Sequence, residues 1–222
     1  MTAKAHENYG SYSPETMKVW KKWALKSKFR DQEFMAKISI FFKTGTVLEL
    51  GGATGQFVEI IEDLGFNCTG SDYFDFFVDC QQKKGIKALK VDATNIAIST
   101  AEIFDNIFAQ ALSPLQTKDG DRNEMVRKTY KSIWNALTPG GRLIVCQTDY
   151  IHSRAKRKKY LNYKEQLSII LEDDIFRVVK VIPHQIIPSG FYSFYNRKFL
   201  NWLDFNLGGI FPFRHILVLE KK

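Results

Sequence analysis

At 222 residues, with 45% hydrophobic composition, the chain has the length of one domain with a substantial core. No apolar run approaches the roughly 18 residues that a membrane span requires, which excludes a helical membrane protein on composition alone. The net charge of +8 is unevenly placed: residues 151–222 carry thirteen Lys plus Arg against six Asp plus Glu, so +7 of it lies in the last third.

The first residues, Met1 to Ser13, are polar and do not read as a signal peptide, so a cytoplasmic protein is expected. Ser13-Pro14-Glu15 has the form of a helix N-cap with proline in the first turn, and Trp20, Trp23 and Leu25 follow it. A second helix is predicted over Gln32 to Phe42. Residues 1–44 thus form an N-terminal helical cap.

The stretch Val47-Leu48-Glu49-Leu50 is a short apolar strand, and it runs directly into Gly51-Gly52-Ala53-Thr54-Gly55. A buried strand brings the backbone to a sheet edge, and a turn of small residues lets that backbone come close to a ligand. A helix starting near Gly55 points its free amides into the same space. The next strand, Asn67 to Ser71, delivers Asp72 seventeen residues after Gly55. A carboxylate there suits a ribose diol. Neither Gly51 nor Gly52 starts a G-x-G-x-x-G frame, which argues against a dinucleotide fingerprint, and no P-loop run exists.

Beyond this point strands near Lys87, Asn106 and Arg142 alternate with helices over Tyr73 to Lys83 and Asn123 to Leu137. Alternation of this kind predicts a parallel sheet covered by helices on both faces. Phe176 to Ile182 and Phe213 to Leu219 read as two further strands. Between them, Asn196 to Leu207 sets Phe199, Trp202 and Leu203 at helical spacing. Cys68, Cys80 and Cys146 lack C-x-x-C spacing, and free thiols are expected rather than a metal site or disulfides.

The turn Glu49-x-Gly51-x-Ala53-x-Gly55 resembles the E/D-x-G-x-G-x-G signature of class I S-adenosylmethionine-dependent methyltransferases, with Ala53 in place of the middle glycine. The likeness continues in order through Asp72 after the second strand, Asp92 after the third, and Leu137-Thr138-Pro139-Gly140-Gly141 before the fifth. It covers about residues 45 to 150. The resemblance implies an α/β fold with a seven-stranded, mostly parallel sheet whose last strand is antiparallel. It also implies a single domain over 1–222, with the cofactor core at 45–150 and the acceptor side at 151–222. S-adenosyl-L-methionine is the implied cofactor. Its binding residues would be Glu49, Gly51, Gly52, Ala53, Gly55, Asp72, Tyr73, Asp92, Ala93 and Gln110, with no metal.

Methyl transfer mainly requires that the acceptor be aligned and water removed, so the acceptor leaves little trace in a sequence. Position nominates Asp149, Tyr150 and His152 after the fifth strand as catalytic candidates, and a neutral imidazole at His152 could take a proton from a hydroxyl. Gln110 and Ser113 follow the fourth strand. His184 and His215 read as minor or structural. Amino-methyltransferases acting on adenine or glutamine carry an N-P-P-Y-like tetrapeptide after the fourth strand, whereas this chain has Ala111-Leu112-Ser113-Pro114. A small or medium-sized, anionic acceptor methylated on oxygen is expected, such as a glycan or lipid precursor. The run Arg154, Lys156, Arg157, Lys158, Lys159 keeps an RNA methyltransferase as the alternative. A catalytically silent binding protein on the same fold is the third reading.

Overall fold

The computed structural model describes residues 31–120, 123–148, 158–184 and 214–222. The expected helices around Trp20 and over 196–207 lie outside them, and so does most of the basic run. Residues 31–38 form helix α1, which ends in a single 3-10 turn at Ser39–Phe41. Its Phe34, Met35 and Ile38 are buried, and the spacing of four between Phe34 and Ile38 turns both toward the sheet.

Seven strands follow: β1 (Thr46–Leu50), β2 (Asn67–Asp72), β3 (Ala88–Lys90), β4 (Phe104–Gln110), β5 (Leu137–Thr148), β6 (Phe176–His184) and β7 (Arg214–Lys221). They form one sheet in the order β3-β2-β1-β4-β5-β7-β6. Only β7 runs against its neighbours, pairing antiparallel with both β5 and β6. The helices between them are α2 (Gln56–Asp63), α3 (Asp75–Gln82), α4 (Ile96–Ser99), α5 (Glu124–Ala136) and α6 (Tyr163–Asp173).

The central strands carry apolar residues on both sides because both sides are covered. Val47 and Leu48 of β1 are each fully buried yet belong to different cores. One core joins Phe34, Val58, Ile61, Phe108, Ile144 and Val218 beneath α1 and α2. The other joins Leu48, Ile107, Tyr130, Ile133, Val145 and Leu217 beneath α5 and α6. On α5 the buried positions Val126, Thr129, Tyr130, Ile133 and Ala136 fall on one helical stripe. Edge strand β6 instead exposes much of its length, and Arg177 on it pairs with Glu220.

Two local features differ from the expected element boundaries. The turn Thr138-Pro139-Gly140-Gly141 lies inside β5 rather than before it. Leu137 already pairs with Phe104, and the ladder resumes at Arg142 opposite Asn106. Helix α6 has no counterpart among the helices expected above. Its start is fixed by a reciprocal cap: Asn162 accepts from the amides of Lys164 (2.9 Å) and Glu165 (3.1 Å), while Glu165 accepts from the Asn162 amide (2.7 Å). Cys68 and Cys146 are buried free thiols, and Cys80 is a half-buried one.

The chain leaves β1 toward β2 and β3, then returns to the other side of β1 to form β4 and β5. This reversal opens a crevice at the carboxyl ends of β1 and β4, where ligands bind in open α/β sheets. Among the described residues no helix is long and apolar enough to cross a membrane.

Candidate functional site at the carboxyl edge

The turn after β1 bends sharply because three of its residues adopt positive φ: Gly51 (75°), Ala53 (46°) and Gly55 (78°). Glycine does this freely. Ala53 does not, and a left-handed alanine costs on the order of 1 kcal/mol that surrounding contacts must offset. Those contacts are visible. The Ala53 amide donates to Asp72 Oδ2 (3.0 Å), its carbonyl accepts from Gln81 Nε2 (3.0 Å), and the Gly52 amide donates to the Ser71 carbonyl (2.8 Å).

Asp72 ends β2 directly beside this turn. Its Oδ1 accepts from the Phe74 amide (3.0 Å), so both carboxylate oxygens hold backbone donors. Burial raises its pKa, and the Phe74, Ala53 and Tyr73 amides lower it; the net direction is up. Among the described residues no salt bridge neutralises it. Tyr73, the next residue, is 40% exposed with its ring edge-on to Phe74 (5.3 Å between centroids).

Asp92 stands one strand further out. The Val91 amide donates to the Asp72 carbonyl (2.9 Å), which ties the two segments together. Asp92 Oδ1 accepts from both the amide and the hydroxyl of Thr94 (2.8 Å each), fixing the carboxylate at the end of β3 beside Ala93. On the other flank, Gln110 ends β4 with its Oε1 buried and without a partner. Ala111 follows at φ 52°, a second strained alanine at this edge, and Leu112 reaches back so that a Cβ on Gly51 would meet its Cδ1 at 3.0 Å. The structure therefore gathers Glu49, the turn, Asp72, Tyr73, Asp92, Ala93 and Gln110 along one edge of four adjacent strands.

Glu49 is the buried member of the set. Its carboxyl faces the first turn of α2, where the Val58 amide bonds to it, and its Oε2 has no partner. Burial, and next the Asp72 carboxylate, push its pKa from 4.5 up to about 8. Since the folded value lies above the unfolded one, the group carries no penalty below about pH 4.5 and a growing one as the pH rises toward about 8. Glu49→Gln cannot ionise. In ligand-free protein this variant is expected to match the wild type in denaturant stability at about pH 4.5 and to exceed it at about pH 8.5. A wild-type advantage that widens with pH would contradict the protonation of Glu49.

Several glycines serve neighbouring side chains more than open space. A Cβ on Gly52 would overlap Glu49 Oε2, and one on Gly70 would overlap Gln81 Oε1. At Gly55 it would sit 2.6 Å from Ile86 Cδ1. Sequence reasoning missed Gln81, which is fully buried. A signal existed, because Phe74, Phe77, Val78 and Gln81 follow helical spacing and set one polar residue in an apolar stripe. It also missed Asp31, whose Oδ2 accepts from Gln56 Nε2 (2.6 Å) and joins α1 to the start of α2.

Asp149, Tyr150 and His152 lie outside the described residues, as do Arg154, Lys156 and Arg157. Lys158 and Lys159 are exposed. His184 ends β6 against the Phe34 ring (4.8 Å), and His215 of β7 stacks on Tyr163 (3.8 Å), opposite Gln147. Ser113 opens a short 3-10 turn. No cluster of His, Cys, Asp and Glu among the described residues has the arrangement of a metal site.

No protein-family model matches the chain, and no curated protein does. Solved structures do. The N-methyltransferase NodS of Bradyrhizobium japonicum WM9, in complex with S-adenosyl-L-homocysteine, superposes at a TM-score of 0.58 with 16% identity, over 89% of this chain and 87% of its own. The plantazolicin methyltransferase BpumL in complex with SAH gives 0.59 and 17%, over 95% and 91%. A SAM-dependent methyltransferase of Archaeoglobus fulgidus gives 0.59 and 16%, over 90% and 99%. The chain has the class I methyltransferase fold, a Rossmann-like seven-stranded sheet with its last strand antiparallel.

Proposed function

We propose that the chain is an S-adenosylmethionine-dependent methyltransferase, a reading carried by one observation: the strained turn, Asp72, Asp92 and Gln110 share the carboxyl edge of β1 to β4 on this fold. The residues suit an adenosyl ligand. Asp72 would accept from a ribose diol, Asp92 and Ala93 would read an adenine amino group, and Tyr73 adds a ring that is 40% exposed. Gln110 Oε1, buried without a donor, accepts from a ligand N–H or O–H. Bound S-adenosylmethionine supplies an electrophilic methyl group. The protein's part is to hold the acceptor atom within about 3 to 3.5 Å of that carbon and to exclude water.

The acceptor in this reading is small or medium-sized and anionic, supported by the excess positive charge of residues 151–222. Oxygen remains the acceptor atom to test first, with Asp149, Tyr150 and His152 as the candidate proton acceptors after β5. Nitrogen is the competing outcome, since NodS is an N-methyltransferase. The test is a turnover screen that follows S-adenosylhomocysteine release across hydroxyl, amine and thiol acceptors, each with and without a carboxylate or phosphate. Turnover is expected with anionic acceptors and not with their neutral counterparts. Acceptance of RNA alone would replace the small-acceptor reading.

A further inference from the structure

Gln81 belongs to α3, an element that supplies none of the proposed cofactor contacts, yet it fills the space under the turn. Its Nε2 donates to the Ala53 carbonyl, and its Oε1 is buried without a partner. The room for it comes from glycines. A Cβ on Gly70 would overlap Gln81 Oε1, one on Gly55 would meet its Cγ at 3.0 Å, and one on Gly52 would meet its Nε2 at 3.3 Å. That same Gly52 Cβ would overlap Glu49 Oε2, the other buried oxygen without a partner. Glu49 and Gly70 are also register partners in β1 and β2, so both face the same side of the sheet. Two orphaned oxygens thus lie beneath one turn, each against a glycine that has no Cβ to displace it.

We propose that Gln81 is a positioning residue for the cofactor turn, linking the Glu49 carboxyl on one side to the Ala53 carbonyl on the other. The proposal rests on the S-adenosylmethionine reading of that turn. A protonated Glu49 has an O–H to give, and Gln81 Oε1 is an acceptor with none to receive; an ionised Glu49 would set acceptor against acceptor. The groups around Glu49 favour the protonated form. Asp72 from β2 opposes its ionisation, while the Val58 amide of α2 and Lys84 after α3 assist it, and burial outweighs them. Cys68 of β2 is itself pushed up, first by burial and then by Glu49. The bond to Ala53 matters because that residue sits at φ 46°, and its carbonyl direction fixes the peptide plane whose other end is the Thr54 amide.

The test is calorimetric titration of S-adenosylhomocysteine into wild type, Gln81→Met and Gln81→Glu from about pH 5 to about pH 7, a range in which Glu49 stays protonated. Gln81→Met keeps the length of the side chain and removes both polar atoms, and it is expected to weaken binding about tenfold or more. Gln81→Glu donates to the Ala53 carbonyl only when protonated, so its affinity should recover toward wild type as the pH falls. Wild type should show no such recovery on acidification. A role confined to packing would not produce this inverted profile, and the profile decides alone if Gln81→Met does not fold. Binding by Gln81→Met within twofold of wild type, or parallel pH profiles for wild type and Gln81→Glu, would overturn the inference while leaving the cofactor reading intact. A wild type that binds no S-adenosylhomocysteine would overturn both.

Discussion

Replacing Gly55 with valine is expected to destabilise the fold by about 2 to 5 kcal/mol, because two separate costs fall on one residue. Gly55 adopts φ 78°, where a non-glycine residue is strained by roughly 1 to 2 kcal/mol and a β-branched one by more. Its new Cβ would also sit 2.6 Å from Ile86 Cδ1 and 3.0 Å from Gln81 Cγ, both held in a packed interior. Overpacking of this kind costs about 1 to 3 kcal/mol. Since a domain of this type is stable by only about 5 to 15 kcal/mol, the loss should show clearly in a urea titration. Gly65 provides the comparison. It ends α2 at φ 89° with nothing near its missing Cβ, so Gly65→Ala carries the backbone cost without the overlap. A Gly55 variant no worse than the Gly65 variant would show that the space under the turn is looser than its geometry implies.

Asp72→Ala is expected to weaken S-adenosylmethionine binding by about 1.5 to 3 kcal/mol, or roughly 10- to 150-fold. The carboxylate has two parts to play: it anchors the Ala53 and Phe74 amides, and in the proposed site it accepts from the ribose hydroxyls. Removing it unties the turn as well as the ribose contact. Asp72→Asn keeps one accepting oxygen and should fall between the two proteins. Calorimetric titration, with thermal melts as a control on folding, measures both variants. Unchanged affinity in a folded Asp72→Ala protein would remove Asp72 from the cofactor site.

The parts of this site that could be read from the sequence are those that are local along the chain. Val47 to Gly55 is a strand and a turn within nine residues, and Asp72 follows at a spacing set by one helix and one strand. Gln81 could not be read in that way. Its position under the turn depends on how α3 packs against β2, and helical spacing alone marks it only as a polar residue in the wrong stripe. Helix α6 carries little signal along the chain although Asn162 and Glu165 cap it, because its buried face is narrow: Gln166, Ile169 and Ile170. The internal turn of β5 reads as a boundary because Pro139, Gly140 and Gly141 ordinarily end a strand. The acceptor remains a proposal for a chemical reason, since alignment of a methyl acceptor imposes no fixed set of residue types.

The most direct measurement is a pair of titrations on the wild-type chain, one with S-adenosylmethionine and one with NAD. Both ligands carry adenosine, and both bind Rossmann-like sheets beside a glycine turn. They part at the turn itself, which here follows Glu49-x-Gly51-x-Ala53-x-Gly55 and offers no G-x-G-x-x-G frame for a pyrophosphate. The account predicts saturable one-to-one binding of S-adenosylmethionine and none of NAD. Binding of NAD with no response to S-adenosylmethionine would contradict it.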